Sequence, residues 1–342
     1  MQYSTLGASG CVVSRFGLGT MTFGGETGEP EALAQLDHFA EHGGTLIDCA
    51  DVYGAGAAET IVGKWLATRP SDLTDQMVVV TKGRFPATGV FAAEGASRRH
   101  LRRALDASLR RLGRDHVDMY MVHSWDPMTP LEETLGFLDD AVRSGRVDYA
   151  GVSNYLGWQV QKAADLARRL GTAPLVALQP SYSLLVRDIE WEIVPACQEN
   201  GLGVLAWSPL GGGWLSGKYR PDAVPTGATR LGEDPGRGIE AYAPRAADPR
   251  VWRILAETQA VADEIGATMA QVALAWVAAR EVVSSVLLGA RTLAQLTENL
   301  GAARVTLDYD HLRRLDEASA PPVNDWPYGA AGREQRSRAL PG

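Results

Sequence analysis

The sequence has few of the residues that mark several common chemistries. It holds three cysteines (Cys11, Cys49 and Cys197) in 342 residues, an odd number at spacings that fit no metal motif. A disulfide framework is therefore excluded, and a reducing compartment, the cytoplasm, is expected. The six histidines never occur as H-x-H. A metal-dependent barrel hydrolase would lack its ligands, and no metal is expected. No G-x-S-x-G elbow occurs, so a serine nucleophile of that kind is excluded. No apolar run approaches the roughly 20 residues that span a bilayer. The opening residues MQYSTLGASG carry neither a basic region nor a hydrophobic one, so no secretory leader is expected. Basic residues are the minority, 33 against 41 acidic, for a net charge of −8. Such a surface disfavours nucleic acid and anionic membrane as partners.

Apolar residues make up 45%, enough for a large core and too many for a disordered chain. Short apolar runs ending in polar residues recur at intervals of roughly 30 residues, one βα unit each. They are Phe16–Gly19, Thr45–Asp48, Met77–Lys82, Val117–His123, Val147–Asn154, Leu175–Gln179, Gly203–Ser208 and Ser284–Gly289. Amphipathic segments of helical length lie between them: Pro30–His42, Ser97–Leu112, Pro130–Arg143, Trp158–Leu170, Asp188–Glu199 and Thr292–Gly301. Gly43, Gly113, Gly145, Gly171 and Gly201 stand where helices should stop.

Eight strands alternating with helices predict an α/β fold, a closed (β/α)8 TIM barrel forming a single domain over residues 1–342. A doubly wound open sheet is the alternative. It calls for a glycine fingerprint after the first strand, and Gly17-Leu-Gly19-Thr-Met-Thr22 breaks that pattern at its last position. Gly201 to Ala206 matches G-x-G-x-x-A but precedes a strand. Residues 1–15 read as a β-hairpin capping the barrel bottom, with its turn around Gly7–Gly10. Residues 211–249 form a long Gly/Pro-rich loop after the seventh strand, and long loops in compact domains are usually functional. A helix pair, Val251–Ile265 and Met269–Arg280, leads to the last strand. The Pro- and Arg-rich tail, 321–342, is expected either to cover one mouth of the barrel or to be mobile.

Barrel chemistry sits at the C-terminal strand ends. Asp48, Lys82, His123, Ser153-Asn154, Gln179 and Trp207-Ser208 stand there, and Tyr53 follows Asp48 in the same loop. Each alone has a structural reading as helix cap, surface lysine, buried histidine or packing aromatic. Together they form one chemical unit. A phenol with a pKa near 10 is a poor donor at pH 7, a neighbouring ammonium lowers it, an aspartate holds the ammonium, and a histidine orients a substrate oxygen. That is a proton donor for a carbonyl receiving a hydride. A Schiff-base role for Lys82 would leave Tyr53 and Trp207 without a purpose.

The residues resemble the aldo-keto reductase family from the hairpin to about Gly301. The matching motifs are Leu18-Gly-Thr-Met21, Ile47-Asp-Cys-Ala-Asp-Val-Tyr-Gly54 with Glu59 and Gly63, Val80-Thr-Lys-Gly83, Asp118-Met-Tyr-Met-Val-His123, Gly151-Val-Ser-Asn154, Gln179, and Trp207-Ser-Pro-Leu-Gly-Gly-Gly213 with Gly217-Lys-Tyr219. The long loop and short C-terminal region resemble the microbial and potassium-channel-beta-subunit-like branch. Cys49 stands where the family more often has Thr or Ser. The resemblance implies a catalytic tetrad of Asp48, Tyr53, Lys82 and His123, and NADPH/NADP bound without a Rossmann fold.

Cofactor contacts implied by the resemblance fall on Gly19, Thr20, Met21 and Asp48. They continue on Ser153, Asn154 and Gln179 for the carboxamide, and on Trp207 as a stacking ring. Ser208, Pro209, Leu210, Gly211 and Gly213 would approach the pyrophosphate, with Lys218 and Arg230 closing over it. Gly289 opens a helix N-terminus. Arg291 is implied for the 2′-phosphate, and Gln295, Glu298 and Asn299 for the adenine. Phe23, Tyr53, Phe85, His123 and Trp125, with Met21 and Arg84, are expected to face the substrate. The expected function is NADPH-dependent reduction of a small-molecule aldehyde or ketone, sugar-like or natural-product compounds included. A cofactor-binding regulatory protein on the same fold is the alternative. No heptad or apolar patch points to an oligomeric interface.

Overall fold

Strands that are apolar on both faces need cover on both faces, and a barrel wrapped by helices supplies it. The computed structural model describes residues 1–86, 94–221, 223–227 and 229–337. Strands β1 (Tyr3–Thr5) and β2 (Val12–Ser14) pair antiparallel as a separate hairpin. The other eight are β3 (Phe16–Gly19), β4 (Leu46–Asp48), β5 (Val78–Gly83), β6 (Val117–Val122), β7 (Val147–Ser153), β8 (Leu175–Gln179), β9 (Gly203–Ala206) and β10 (Val283–Gly289). They close into one barrel in chain order, with β10 beside β3. All neighbours are parallel, and Leu18 registers with both Ile47 and Leu288. The fold is the (β/α)8 barrel that the alternation of elements predicts.

Two apolar layers hold it. Leu46, Val80, Met119, Met121, Ala177, Leu205 and Leu287 form the inner layer. Inward glycines make room for it, since a Cβ on Gly17 would meet Leu46 Cδ2 at 2.8 Å and one on Gly151 would meet Met121 Cε at 2.9 Å. The outer layer lies between strands and helices. The helices begin and end close to their expected bounds. Ser97 caps Arg98–Leu112 by accepting from His100 N, and Thr292 caps Leu293–Leu300 by accepting from Gln295 N. Two longer helices, Ala57–Thr68 and Tyr309–Ser319, add to those expected, with shorter ones at Ser71–Thr74, Arg230–Glu233, Tyr242–Ala246 and Ala330–Arg336. The described part of the tail packs sideways, with Tyr328 stacked on Trp191 at 5.0 Å. Residues 338–342 of the tail lie outside the described residues.

The hairpin closes the N-terminal end. Its Leu6, Cys11 and Val13 join the inner apolar layer. Ser284 Oγ, at the start of β10, donates to Thr5 O at 2.8 Å and accepts from Gly7 N at 3.2 Å. Gly7 has φ of 57°, and a Cβ there would lie 2.4 Å from Gly201 O and 2.5 Å from Gly203 N. Gly7→Ala therefore adds both a backbone penalty and a clash with main chain. It should destabilise by about 2 kcal/mol or more, read as a lowered Tm with the site at the opposite mouth unaltered.

Candidate active site

Side chains alternate along a strand, so a residue two beyond an inward apolar one also points inward. Leu46 thus gives way to Asp48, Val80 to Lys82, Met121 to His123, Ala177 to Gln179 and Leu205 to Trp207. The inner layer turns polar at one level, the C-terminal mouth. Lys82 is 0% exposed and Asp48 2%. Lys82 Nζ lies 2.8 Å from Asp48 Oδ2 and donates to Cys49 O at 2.7 Å. Its third contact is Tyr53 OH at 3.3 Å. The structure thus brings Asp48, Tyr53, Lys82 and His123 together. The Tyr53 and His123 rings meet edge-on at 5.8 Å. Tyr53 opens a tight turn in which Gly54, Ala55 and Gly56 all have positive φ, so the chain doubles back to present the ring.

Burial sets the protonation states. It drives the His123 imidazole down to about 2, with Lys82 and Arg84 adding to the effect, so the ring is neutral. Its Nδ1 is buried without a partner among the described residues. Burial also pulls the Lys82 ammonium down, but Asp48 and Tyr53 outweigh it and hold the cation. The expectation that Lys82 lowers the pKa of Tyr53 is corrected. Lys82 does act in that direction, but burial acts more strongly, and the phenol stays above its ordinary value. Tyr53 at rest is a protonated acid with a cation beside it. Cys49 is inert, its thiol pushed up by burial and accepting from Thr20 Oγ1 at 3.4 Å.

A second polar cluster backs the tetrad. Glu59, 0% exposed, accepts from Thr81 Oγ1 and from Arg111 Nε at 2.6 Å. Asp51 lies within reach of the same charges, and its Oδ1 is buried without a described partner. Burial, then Glu59, raises the Asp51 carboxyl to about 7. The second aspartate of Asp48-Cys-Ala-Asp51 was the available signal for this residue, but spacing does not reveal which charges surround it.

The expected carboxamide partners are held by two short chains of hydrogen bonds at the mouth. Trp207 Nε1 donates to Asn154 Oδ1 at 3.1 Å, and Asn154 Nδ2 donates to His123 O at 3.0 Å. Ser153 Oγ donates to Gln179 O, and Gln179 Nε2 donates to Asp48 Oδ1, both at 2.8 Å. Gln179 Oε1 accepts from no described residue. Gly211 and Gly213 lie in a tight turn with positive φ, following Ser208, buried Pro209 and Leu210. Such backbone admits a close ligand. Lys218 is exposed. Arg230 pairs with Glu240 Oε2 at 2.8 Å, and the other oxygen of Glu240 accepts from Ser208 Oγ. Sequence gave no sign of Glu240, which ties the long loop to the end of β9.

In the last unit, Arg291 Nε lies 2.8 Å from Glu26 Oε2, and its Nη2 pairs with Glu233. Gln295 Oε1 accepts from Arg291 N at 2.8 Å, and Asn299 Nδ2 reaches Gly289 O at 3.4 Å. Glu298 is exposed, and Gly289 has open space where a Cβ would stand. These residues fit a dinucleotide: an amide-lined mouth, an indole beside it, a glycine turn, and an arginine at a helix start.

Two expectations need correction. Phe23 is 0% exposed and belongs to the outer apolar layer, so it supports its loop and does not face a substrate. Thr20 is also fully buried, its hydroxyl donating to Asp48 O at 2.9 Å, so the side chain cannot meet a cofactor. Met21 and Gly19 remain at the mouth, Met21 45% exposed. Phe85 packs edge-on against His123 at 4.8 Å, and Trp125 meets Tyr155 and Trp158 at 5.2 and 5.4 Å. Among the described residues no cluster of His, Cys, Asp or Glu could hold a metal. No described helix is long and apolar enough to cross a membrane.

A closed barrel with this tetrad at its C-terminal mouth defines an oxidoreductase class that binds its cofactor without a Rossmann sheet. The chain belongs to the Aldo/keto reductase family, whose profile matches residues 15–320. It is 37% identical over 335 residues to the uncharacterized oxidoreductase YrpG of Bacillus subtilis, covering 96% of this chain and 98% of that one. It is 35% identical to a probable voltage-gated potassium channel subunit beta of Arabidopsis thaliana, over 89% and 92% of the two chains. Protein tas of Escherichia coli is 33% identical over 92% and 97%.

The raised carboxyl of Asp51 has a measurable consequence. The folded chain holds this proton more tightly than the unfolded chain, so its contribution is fully present below about pH 4 and is lost as pH rises through about 7. Asp51→Asn should raise the Tm by a few degrees at pH 8 and by less at pH 5, as thermal melts at the two pH values would show.

Proposed function

We propose that the protein is an NADPH-dependent reductase that converts a small-molecule aldehyde or ketone to an alcohol in the cytoplasm. The observation that carries this is the contact of Lys82 Nζ with Tyr53 OH at 3.3 Å, inside an ion pair sealed from water. Bound at this mouth, reduced nicotinamide supplies the hydride for the carbonyl carbon. The chain's own residues manage the oxygen. Tyr53 OH donates to it, and neutral His123 holds it in the plane of that donor. As the proton leaves, charge develops on the phenol oxygen, and the Lys82 cation beside it lowers the energy of that state. Asp48 keeps Lys82 charged and fixes its position. The phenol's raised resting pKa keeps the proton available at neutral pH.

The amides of Asn154 and Gln179, the hydroxyl of Ser153 and the indole of Trp207 would hold the nicotinamide end. The turn from Ser208 to Gly213 would take the pyrophosphate, with residues 211–249 clasping it through Lys218 and Arg230. Residues 222 and 228 of that loop lie outside the described residues. Arg291 would take the 2′-phosphate, with Gln295, Glu298 and Asn299 near the adenine. Because Glu26 and Glu233 already answer the charge of Arg291, a phosphate would exchange with a carboxylate rather than meet a free cation. The preference for NADPH is then moderate. Three buried, unpaired cysteines are in keeping with a reducing cytoplasm.

Tyr53→Phe should cut kcat by about 100-fold or more while cofactor affinity stays within about two-fold, because it deletes the proton donor alone. Loss of NADPH absorbance with a panel of aldehydes, ketones and keto sugars reads the first, and quenching of tryptophan fluorescence on cofactor binding, compared with Trp207→Ala, reads the second. Cofactor binding without turnover on any compound would favour a regulatory subunit on this fold. Arg291→Ala should weaken NADPH by about ten-fold and NADH far less, since NADH lacks the phosphate. Equal losses for both would remove the 2′-phosphate role.

A further inference from the structure

One cation at the mouth takes no direct part in the chemistry above. Arg84 directly follows β5, two residues after Lys82. The strand end is pinned on both sides, His123 N donating to Gly83 O at 3.0 Å and Gly95 N to Arg84 O at 2.8 Å. The backbone of Arg84 has φ of 151°, a conformation rarely adopted by residues with a side chain. It delivers the guanidinium beside the face of Phe85, 5.1 Å from the ring centroid. Phe85 in turn packs on His123. One terminal nitrogen donates to Trp125 O at 3.3 Å, and Nε is buried without a described partner.

Among the described residues Arg84 forms no ion pair. The nearby carboxylate of Asp126 is committed elsewhere. It accepts from Ala96 N at 2.7 Å, Met128 N at 2.9 Å and Thr129 Oγ1 at 2.6 Å. The stretch 87–93 contains no acid in the sequence. On a chain of net charge −8, a guanidinium with no ion pair among the described residues, next to the reacting side chains, marks a place for a negative group.

We propose that Arg84 is a substrate-binding residue that takes the carboxylate of an acidic carbonyl compound. This rests on the reductase reading above. The fork of a single guanidinium matches a carboxylate, whereas a phosphate site usually adds backbone N–H groups or a second cation. The Phe85 ring lies against it as a flat aromatic wall, with the backbone of Trp125 on another side. The favoured substrate is therefore a planar, conjugated or aromatic aldehyde or ketone whose acid group lies at the far end from the carbonyl.

The test compares 4-formylbenzoate with 4-formylbenzamide, which has nearly the same shape and no charge. With the cofactor-loaded enzyme, kcat/KM should favour the acid by ten-fold or more, mainly through KM. In Arg84→Gln that ratio should fall toward one, and Arg84→Lys should recover part of it. A wild-type ratio near one, or the same ratio in wild type and Arg84→Gln, overturns the proposal. Calorimetry with 4-(hydroxymethyl)benzoate separates this proposal from the reading beneath it. If neither these aldehydes nor any compound of the carbonyl panel turns over, the reductase reading fails. Binding of the acid weakened ten-fold by Arg84→Gln would still support the anion subsite, and equal binding would overturn it.

Discussion

The mouth of this barrel is organised by one buried ion pair. Lys82 carries its charge with no access to water, and Asp48 answers it on the neighbouring strand. Taking two such charges out of water is costly, and the arrangement holds because every donor of the ammonium is matched: Asp48, Cys49 O and Tyr53 OH. Gln179 braces the aspartate from the far side of the mouth, and Thr20 binds the carbonyl of the same residue. Burial keeps Tyr53 protonated against the pull of this cation, and burial with the same cation keeps His123 neutral.

The pair also explains why the apolar barrel interior can end so abruptly. Inward positions are leucine, valine and methionine up to one level, and at the next they are aspartate, lysine, histidine and glutamine. A single such group would be stranded. Placed together, they satisfy one another and leave one phenol and one imidazole turned to the opening. Behind them, Glu59 bridges Thr81 and Arg111, so the strand carrying Lys82 is anchored from outside the barrel as well.

Much of this was legible in the chain. The eight strands and most of their helices follow from apolar runs and glycine stops, and the residues at the strand ends follow from the period of two. Four things were not legible. The balance between burial and Lys82 at Tyr53 depends on depth, which spacing does not encode. Phe23 and Phe85 look alike in sequence, but one is sealed under its own loop and the other lies against His123. The acids that organise the long loop include Glu233 and Glu240 within it and Glu26 some two hundred residues away, and no local pattern shows that they pair with Arg230, Arg237 and Arg291. The helix Ala57–Thr68 was hidden behind the Tyr53 turn because two glycines and a left-handed alanine separate it from its strand.

The outer fastening of the long loop differs in kind from the mouth. Arg237 and Arg291 both pair with Glu26, and Arg291 also pairs with Glu233, forming a chain of alternating charges across three distant segments. These groups are partly open to water, so dissolved ions compete for them over a screening length of about 8 Å at physiological salt. Lys82 and Asp48 are beyond the reach of that competition. The protein therefore joins two electrostatic regimes, a proton-handling centre indifferent to the salt around it and a clasp whose grip loosens as ionic strength rises.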